Sequence, residues 1–452
     1  MRSPEISEYF KHRFPSVIRV AQIEFMRRKD GTEAVNVAIG NVSLPMHPAM
    51  ISRMAGLCSK ESPFRDGVVK YTPTVGVEET RHAFLNIIAS SGFRTEGLYP
   101  QVTDGGSQAM ELVLLGTCGA VGDETKPILL IDASYTNYPA MARRVGRATV
   151  SVTRKLQDNG MFTLPDISEI DRVIAEHRPG AMVVIPYDNP TGHFYEHSTM
   201  ILLAELCVRH NLWMVSDEAY RELFYVQKRT SSIWGVTDRE VSGIEGKRIS
   251  IETASKVWNA CGLRIGALVT DSPEFHYKSV AEATANLCTN AIGQYIFGAL
   301  AQESHEKLRD WYEKQRAYYK PIISSVTGEL KKVLPGIIVS NPDASIYSVV
   351  DVRNIVPEEF DAKGFVLYCA REGKVDQDGK KRTLLVAPME GFYNVPEGES
   401  NPGKTQMRIA YVESPERMKL VPRLFSTLLK QYISMKIDLP HGIGKARSYQ
   451  SV

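Results

Sequence analysis

Four separate segments of this 452-residue chain carry side chains that could hold and transform a small charged molecule. In TASKVWNACGLRIG, residues 253–266, the amine of Lys256 lies between the hydroxyls of Thr253 and Ser255 and precedes Arg264 by eight positions. A lysine amine can act as a nucleophile or a base, and a guanidinium offers a planar, permanently charged fork to an anion. In VSDEAY, 215–220, an apolar stretch ends in Asp217, with Tyr220 three residues later. A strand end delivers such side chains into a crevice. DNPTG, 188–192, is a turn signal that carries Asn189. TDGGSQAMEL, 103–112, sets Gly106 before Ser107 and Gln108 at a helix start, where free backbone N–H groups suit a phosphate. Singly, each has an ordinary reading: a solvated lysine, a helix-capping aspartate, a turn, a glycine-rich bend.

Together and in this order, the segments resemble the class I and II aminotransferases that depend on pyridoxal 5′-phosphate (PLP), most of all the aspartate-type enzymes of prokaryotes. The resemblance implies that Lys256 holds PLP as a Schiff base and shuttles a proton once substrate frees it. It implies that Arg264 binds the phosphate with the loop of Gly106, Ser107 and Gln108, and that Asp217 pairs with the protonated ring nitrogen. Tyr220 and Asn189 would hydrogen-bond the phenolate oxygen. Thr253 stands where the family usually has Ser or Gly, so either its hydroxyl or that of Ser255 reaches the phosphate. In DASYTNY, Tyr135 takes the place of the ring stacked on the cofactor. In MRIAYV, Arg408 matches the clamp for the substrate α-carboxylate, and in VAIGNVSLP, Gly40 falls at the substrate-side glycine, with Asn189 also near substrate. Tyr71, in KYTPTVG, matches a tyrosine that reaches the neighbouring subunit's phosphate site, which implies a homodimer. No metal is implied.

The implied activity is ping-pong transfer of the amino group of an L-amino acid to a 2-oxo acid. One acidic-substrate branch of the family has a lysine where this chain has Ser107, so aspartate, glutamate, aromatic and methionine-like substrates all stay open. β-Elimination by a C–S lyase on the same cradle is the alternative reaction. A regulator keeping the fold without the chemistry fits poorly, because Lys256, Asp217, Asn189 and Arg264 are costly to bury without a ligand. The stretch before Gly40 is also too short for a DNA-binding domain.

These groups need a scaffold, and the chain between about 100 and 270 supplies one. Apolar runs at 128–131, 148–152, 182–185, 213–216, 249–252 and 265–269 alternate with helical patterns at 107–118, 165–177 and 198–210. This is the signature of βα units feeding a mostly parallel sheet. A long helix is expected over 292–326. Strands at 336–339, 346–351, 384–387 and 407–410 follow, with helices near 358–372 and 415–435. The expected fold is α/β, the PLP-dependent transferase fold type I: a large domain with a mostly parallel sheet sandwiched by helices, plus a smaller α+β domain. The expected division is 1–48 as an arm with part of the small domain, 49–305 as the large PLP-binding domain, and 306–452 as the small domain. The tail 441–452 is expected to be poorly ordered.

Composition agrees with a folded enzyme. The 54 basic and 52 acidic residues are interspersed, with 43% hydrophobic content, which points to neither a nucleic-acid stripe nor a membrane patch. The N-terminus is charged throughout and no apolar run approaches membrane-spanning length, so a cytoplasmic location is expected. Six dispersed cysteines and ten histidines without metal-ligand spacing predict neither a disulfide framework nor a zinc site.

Overall fold

A computed structural model describes residues 4–396 and 398–437 of the chain. Its largest sheet has seven strands in the order Tyr99–Asp104, Ile265–Thr270, Arg248–Thr253, Trp213–Asp217, Ala181–Val184, Ile128–Asp132 and Thr149–Thr153. Among them Ile265–Thr270 alone runs against its neighbours. Strand alternation feeds two cores. Ile128, Leu130, Ala181 and Val183 pack with Ala109 and Val113 of helix Gly105–Thr117, whereas Leu129, Met182 and Met214 pack with helices Ile167–His177 and His197–Arg209. With both faces covered, strands such as Ile128–Asp132 and Ile265–Thr270 are buried at every residue and read as unbroken apolar runs.

The parallel strands finish on one edge. Asp104, Asp132, Asp217 and Thr253 are each the last residue of a strand, and an open α/β sheet keeps its ligand crevice beyond such ends. Two smaller sheets complete the fold. One is antiparallel, in the order Ile338–Val339, Tyr347–Asp351, Gln406–Ala410, Ala387–Pro388; the other joins Glu33–Asn36, Lys380–Leu385 and Val375–Gln377. The N-terminal strand pairs in parallel with Lys380–Leu385. Just beyond it, Val37 N donates to Leu385 O at 2.9 Å and Ala410 N donates to Val37 O at 2.8 Å. The arm is thereby knit to both small sheets, and Gly40 follows directly.

Several expected elements change. The helix over 292–326 is two helices, Ala291–Gly298 and His305–Val333, parted by a 3-10 turn, Ala299–Gln302, and by extended backbone at Glu303 and Ser304. The Ser304 hydroxyl accepts from Lys307 N at 3.3 Å, so an N-cap overrides the surrounding helix formers. The strand over 384–387 divides between the two small sheets, as Lys380–Leu385 and Ala387–Pro388. The helix near 358–372 begins only at Ala362, because Asp361 caps it by accepting from Lys363 N and Gly364 N. That over 415–435 is Pro415–Met418 followed by Val421–Ile437. Tyr99–Asp104 and Glu33–Asn36 hold too few apolar residues to be read as strands from sequence. The tail expectation at 441–452 lies outside the described residues.

Candidate active site

Asp217 closes its strand at the edge of a cavity of about 170 Å³. Its Oδ1 accepts from Ala219 N at 3.0 Å, and its Oδ2 accepts a short bond from the Tyr138 hydroxyl. Part of the carboxylate faces the cavity, yet loss of hydration pushes it above the usual carboxylate range, with the Tyr138 bond opposing. Gly106, Ser107, Tyr135 and Asn189 line the same cavity, as do Tyr220, Thr253, Ser255, Lys256 and Arg264. Chain segments far apart in sequence therefore meet at one point. Two larger surface clefts, about 650 and 680 Å³, border Trp213 at the opposite end of that strand. They hold none of the residues singled out from sequence.

One end of the cavity is built by neighbouring strands. Ile265 pairs with Asp104, which brings Arg264 beside the glycine-rich turn, and its guanidinium donates to the carbonyls of Asp104 and Cys261 at 3.3 Å each. Gly105 is needed there twice: its φ is +65°, and a Cβ on it would collide with the Arg264 guanidinium. The Thr253 and Ser255 hydroxyls lie 2.8 Å apart, both facing the cavity. Gln108 departs from expectation. Its Oε1 turns back to accept from Asp104 N at 2.7 Å, so it braces the strand-to-helix junction and does not line the cavity.

The other end draws on distant segments. Lys256 Nζ donates to Gly40 O at 2.5 Å. Gly40 is buried, and a Cβ there would strike the Tyr347 hydroxyl and sit 3.3 Å from Lys256 Nζ. Arg408, on strand Gln406–Ala410, is 5% exposed. It donates to Asn189 Oδ1 and Ala38 O at 2.8 Å each, while its Nε has no partner. The rings of Tyr347 and Phe392 flank it, 4.4 and 5.0 Å from its guanidinium carbon. The Tyr220 hydroxyl is 2.8 Å from that of Tyr347 and 3.5 Å from Asn189 Nδ2. Beneath this end, fully buried Arg154 pairs with Asp188 and reaches Thr191 Oγ1 at 3.4 Å, pinning the turn that presents Asn189. Tyr71 lies outside the cavity, 79% exposed on its loop.

The donor set fits PLP. Among the described residues no ion pair joins Lys256, Arg264 or Arg408, and Asp217 has hydrogen bonds but no cation. Partly desolvated charges left unpaired, as at Lys256 and Asp217, are costly, and a ligand with a phosphate, a cationic ring nitrogen and an aldehyde complements Arg264, Asp217 and Lys256 in turn. Residues 64–375 match the family model described as aminotransferase class I and II. The chain belongs to this family. It is thus a PLP-dependent aminotransferase of fold type I, moving an amino group from an L-amino acid to a 2-oxo acid. A probable aspartate/prephenate aminotransferase of Aquifex aeolicus is 27% identical over 287 residues, 64% of this chain and 69% of that one. The aspartate/prephenate aminotransferase of Thermus thermophilus is 26% identical, covering 74% of this chain and 80% of its own. In structure, an aspartate aminotransferase of Thermus thermophilus superposes with a TM-score of 0.75 at 21% identity, covering 95% of this chain and all of that one. These relatives do not favour the lyase alternative. Among the described residues no helix is long and apolar enough to cross a membrane.

Sequence reading missed Tyr138, Tyr347 and Arg154. Tyr138 was the most accessible of these, three positions after Tyr135 in the same DASYTNY run. Tyr347 sits in a stretch that reads only as a strand, and Arg154 carries no local signal.

Proposed function

We propose that this aminotransferase is aspartate-type, with Lys256 as its reacting amine and Arg408 as the clamp for the substrate α-carboxylate. The observation that carries this reading is that Lys256 and Arg264, cations without a carboxylate partner, line one cavity with Asp217, while a third, Arg408, bonds Asn189 on its wall. Bound here, PLP supplies an electron sink for the pair left when the substrate Cα gives up its proton. Lys256 Nζ, held by the Gly40 carbonyl, would be the base that takes up and gives back that proton. Arg264, Gly106, Ser107 and the hydroxyl of either Thr253 or Ser255 would hold the phosphate. Asp217, steadied by Tyr138, would pair with the ring nitrogen. Tyr135 would pack on the ring, while Tyr220 and Asn189 would donate to its oxygen. Arg408 meets the carboxylate with Nη groups that Asn189 and Ala38 already orient. Acidic selectivity rests on the names of the Aquifex and Thermus relatives.

The active form is a cytoplasmic homodimer in which Tyr71 enters the partner's phosphate site; its exposure supports this. The pairing of Glu33–Asn36 with Lys380–Leu385 supports a division into 1–48, 49–305 and 306–452, the arm belonging with the small domain.

The test is the absorbance spectrum of PLP-loaded protein, wild type beside Lys256→Ala, titrated with single amino acids. L-Aspartate and L-glutamate should convert the wild-type band to that of the amine form of the cofactor and leave the variant unchanged. Conversion by neutral amino acids alone would overturn the acidic assignment, and failure to load PLP would overturn the assignment of the site.

A further inference from the structure

We propose that Tyr347 is a positioning residue for both ends of the site: its hydroxyl donates to Tyr220, and its ring seats Arg408. This rests on the reading above of Tyr220 as partner of the ring oxygen and of Arg408 as the carboxylate clamp. Tyr347 is 1% exposed and opens strand Tyr347–Asp351, whose Val349 pairs with Arg408. Its hydroxyl lies 2.8 Å from that of Tyr220, with the rings edge to face at 76°.

Only one hydrogen can lie between two phenol oxygens. If Tyr220 donated to Tyr347, it would have none left for the cavity it lines, where its bond to a ring oxygen is needed. Asn189 Nδ2, the other neighbour of the Tyr220 hydroxyl, is itself a donor. With Tyr347 as donor, the Tyr220 oxygen is filled as an acceptor and its own hydrogen points into the cavity. The same ring lies 4.4 Å from the Arg408 guanidinium carbon, a contact that gains strength in a buried setting. Gly40 completes the arrangement, since any side chain there would drive the Tyr347 hydroxyl away. The titratable and charged groups acting on this phenol pair are Tyr135, Tyr319 and Arg408, with Lys256 across Gly40.

The experiment loads wild type, Tyr220→Phe, Tyr347→Phe and Tyr347→Leu with PLP and reads two quantities. One is the pH midpoint of the bound cofactor's absorbance change; the other is the Kd for acetate, a bare carboxylate, from its perturbation of that spectrum. A hydrogen bond to a negative oxygen favours the deprotonated chromophore, so losing one moves the midpoint up. Tyr220→Phe should raise it by about one pH unit and Tyr347→Phe by about half a unit. Tyr347→Phe keeps the ring and should hold acetate within about twofold of wild type, whereas Tyr347→Leu should also weaken acetate by about fivefold. A wild-type midpoint in Tyr347→Phe beside a raised one in Tyr220→Phe overturns the proposal and spares the site assignment. No shift in Tyr220→Phe would remove the underlying reading and the proposal with it.

Discussion

Arg264 and Arg408 are both cations without a carboxylate partner among the described residues, yet one is exposed and the other 5% exposed. Arg264 belongs to segment 253–266, which adjacent strands bring against 103–112, and its contacts are backbone carbonyls at 3.3 Å. Arg408 depends on Ala38, Asn189, Tyr347 and Phe392, drawn from four distant parts of the chain. Water still reaches the first, so its charge is partly screened; the second works where the effective dielectric is low. A shallow end built from two adjacent strands suits an anion that stays bound, and a deep end assembled from four segments suits a carboxylate that must be placed anew each turnover.

Lys256 stands between the two, and its loss should have the largest effect. Lys256→Ala is expected to lower kcat by about 10³-fold to 10⁴-fold, measured by coupled assay of the oxo-acid product. Arg408→Ala comes next, lowering kcat/KM by about 10²-fold to 10³-fold through two lost charge-assisted bonds, with PLP retained by absorbance. Arg408→Lys should recover little of this, because an ammonium cannot supply the fork. Gly105→Ala attacks the opposite end. It should weaken PLP by roughly tenfold through displacement of Arg264 and cost about 1–2 kcal/mol in urea unfolding from its left-handed backbone. If Gly105→Ala weakened acetate as much as Arg408→Ala does, the two ends would not be separable.

The same contrast decides what could be read from sequence. The phosphate end is legible because its groups fall in two short motif segments and its glycines answer a backbone need, as Gly105 shows. The large sheet is legible because burial on both faces writes apolar runs. Gln108 misled because a side chain at a helix start can bond its own backbone as readily as a ligand. Tyr347 and Arg154 were invisible because their roles arise only when the small sheets meet the large one. Helix ends failed where single capping residues, Ser304 and Asp361, outweighed the composition of a whole stretch.

Asp217 should give the smallest effect and the sharpest test of the cavity's electrostatics. Burial raises its carboxyl above the ordinary value, so the folded apoprotein binds more proton there than the unfolded chain does. Its stability contribution therefore falls as pH rises from the ordinary carboxylate value through the raised one. A cationic ring nitrogen beside Asp217 reverses the shift, so PLP binding releases a proton and tightens with rising pH over the same window. The dependence cannot exceed about tenfold per pH unit for one proton, and a total change of a few-fold is expected. Measured as PLP Kd across that window, the slope should flatten in Asp217→Asn, which carries no charge to restore. Equal slopes in wild type and variant would mean that Asp217 is already ionised without the cofactor. The Tyr138 bond and the Ala219 N–H would then outweigh burial, leaving the ring nitrogen little to add at this position.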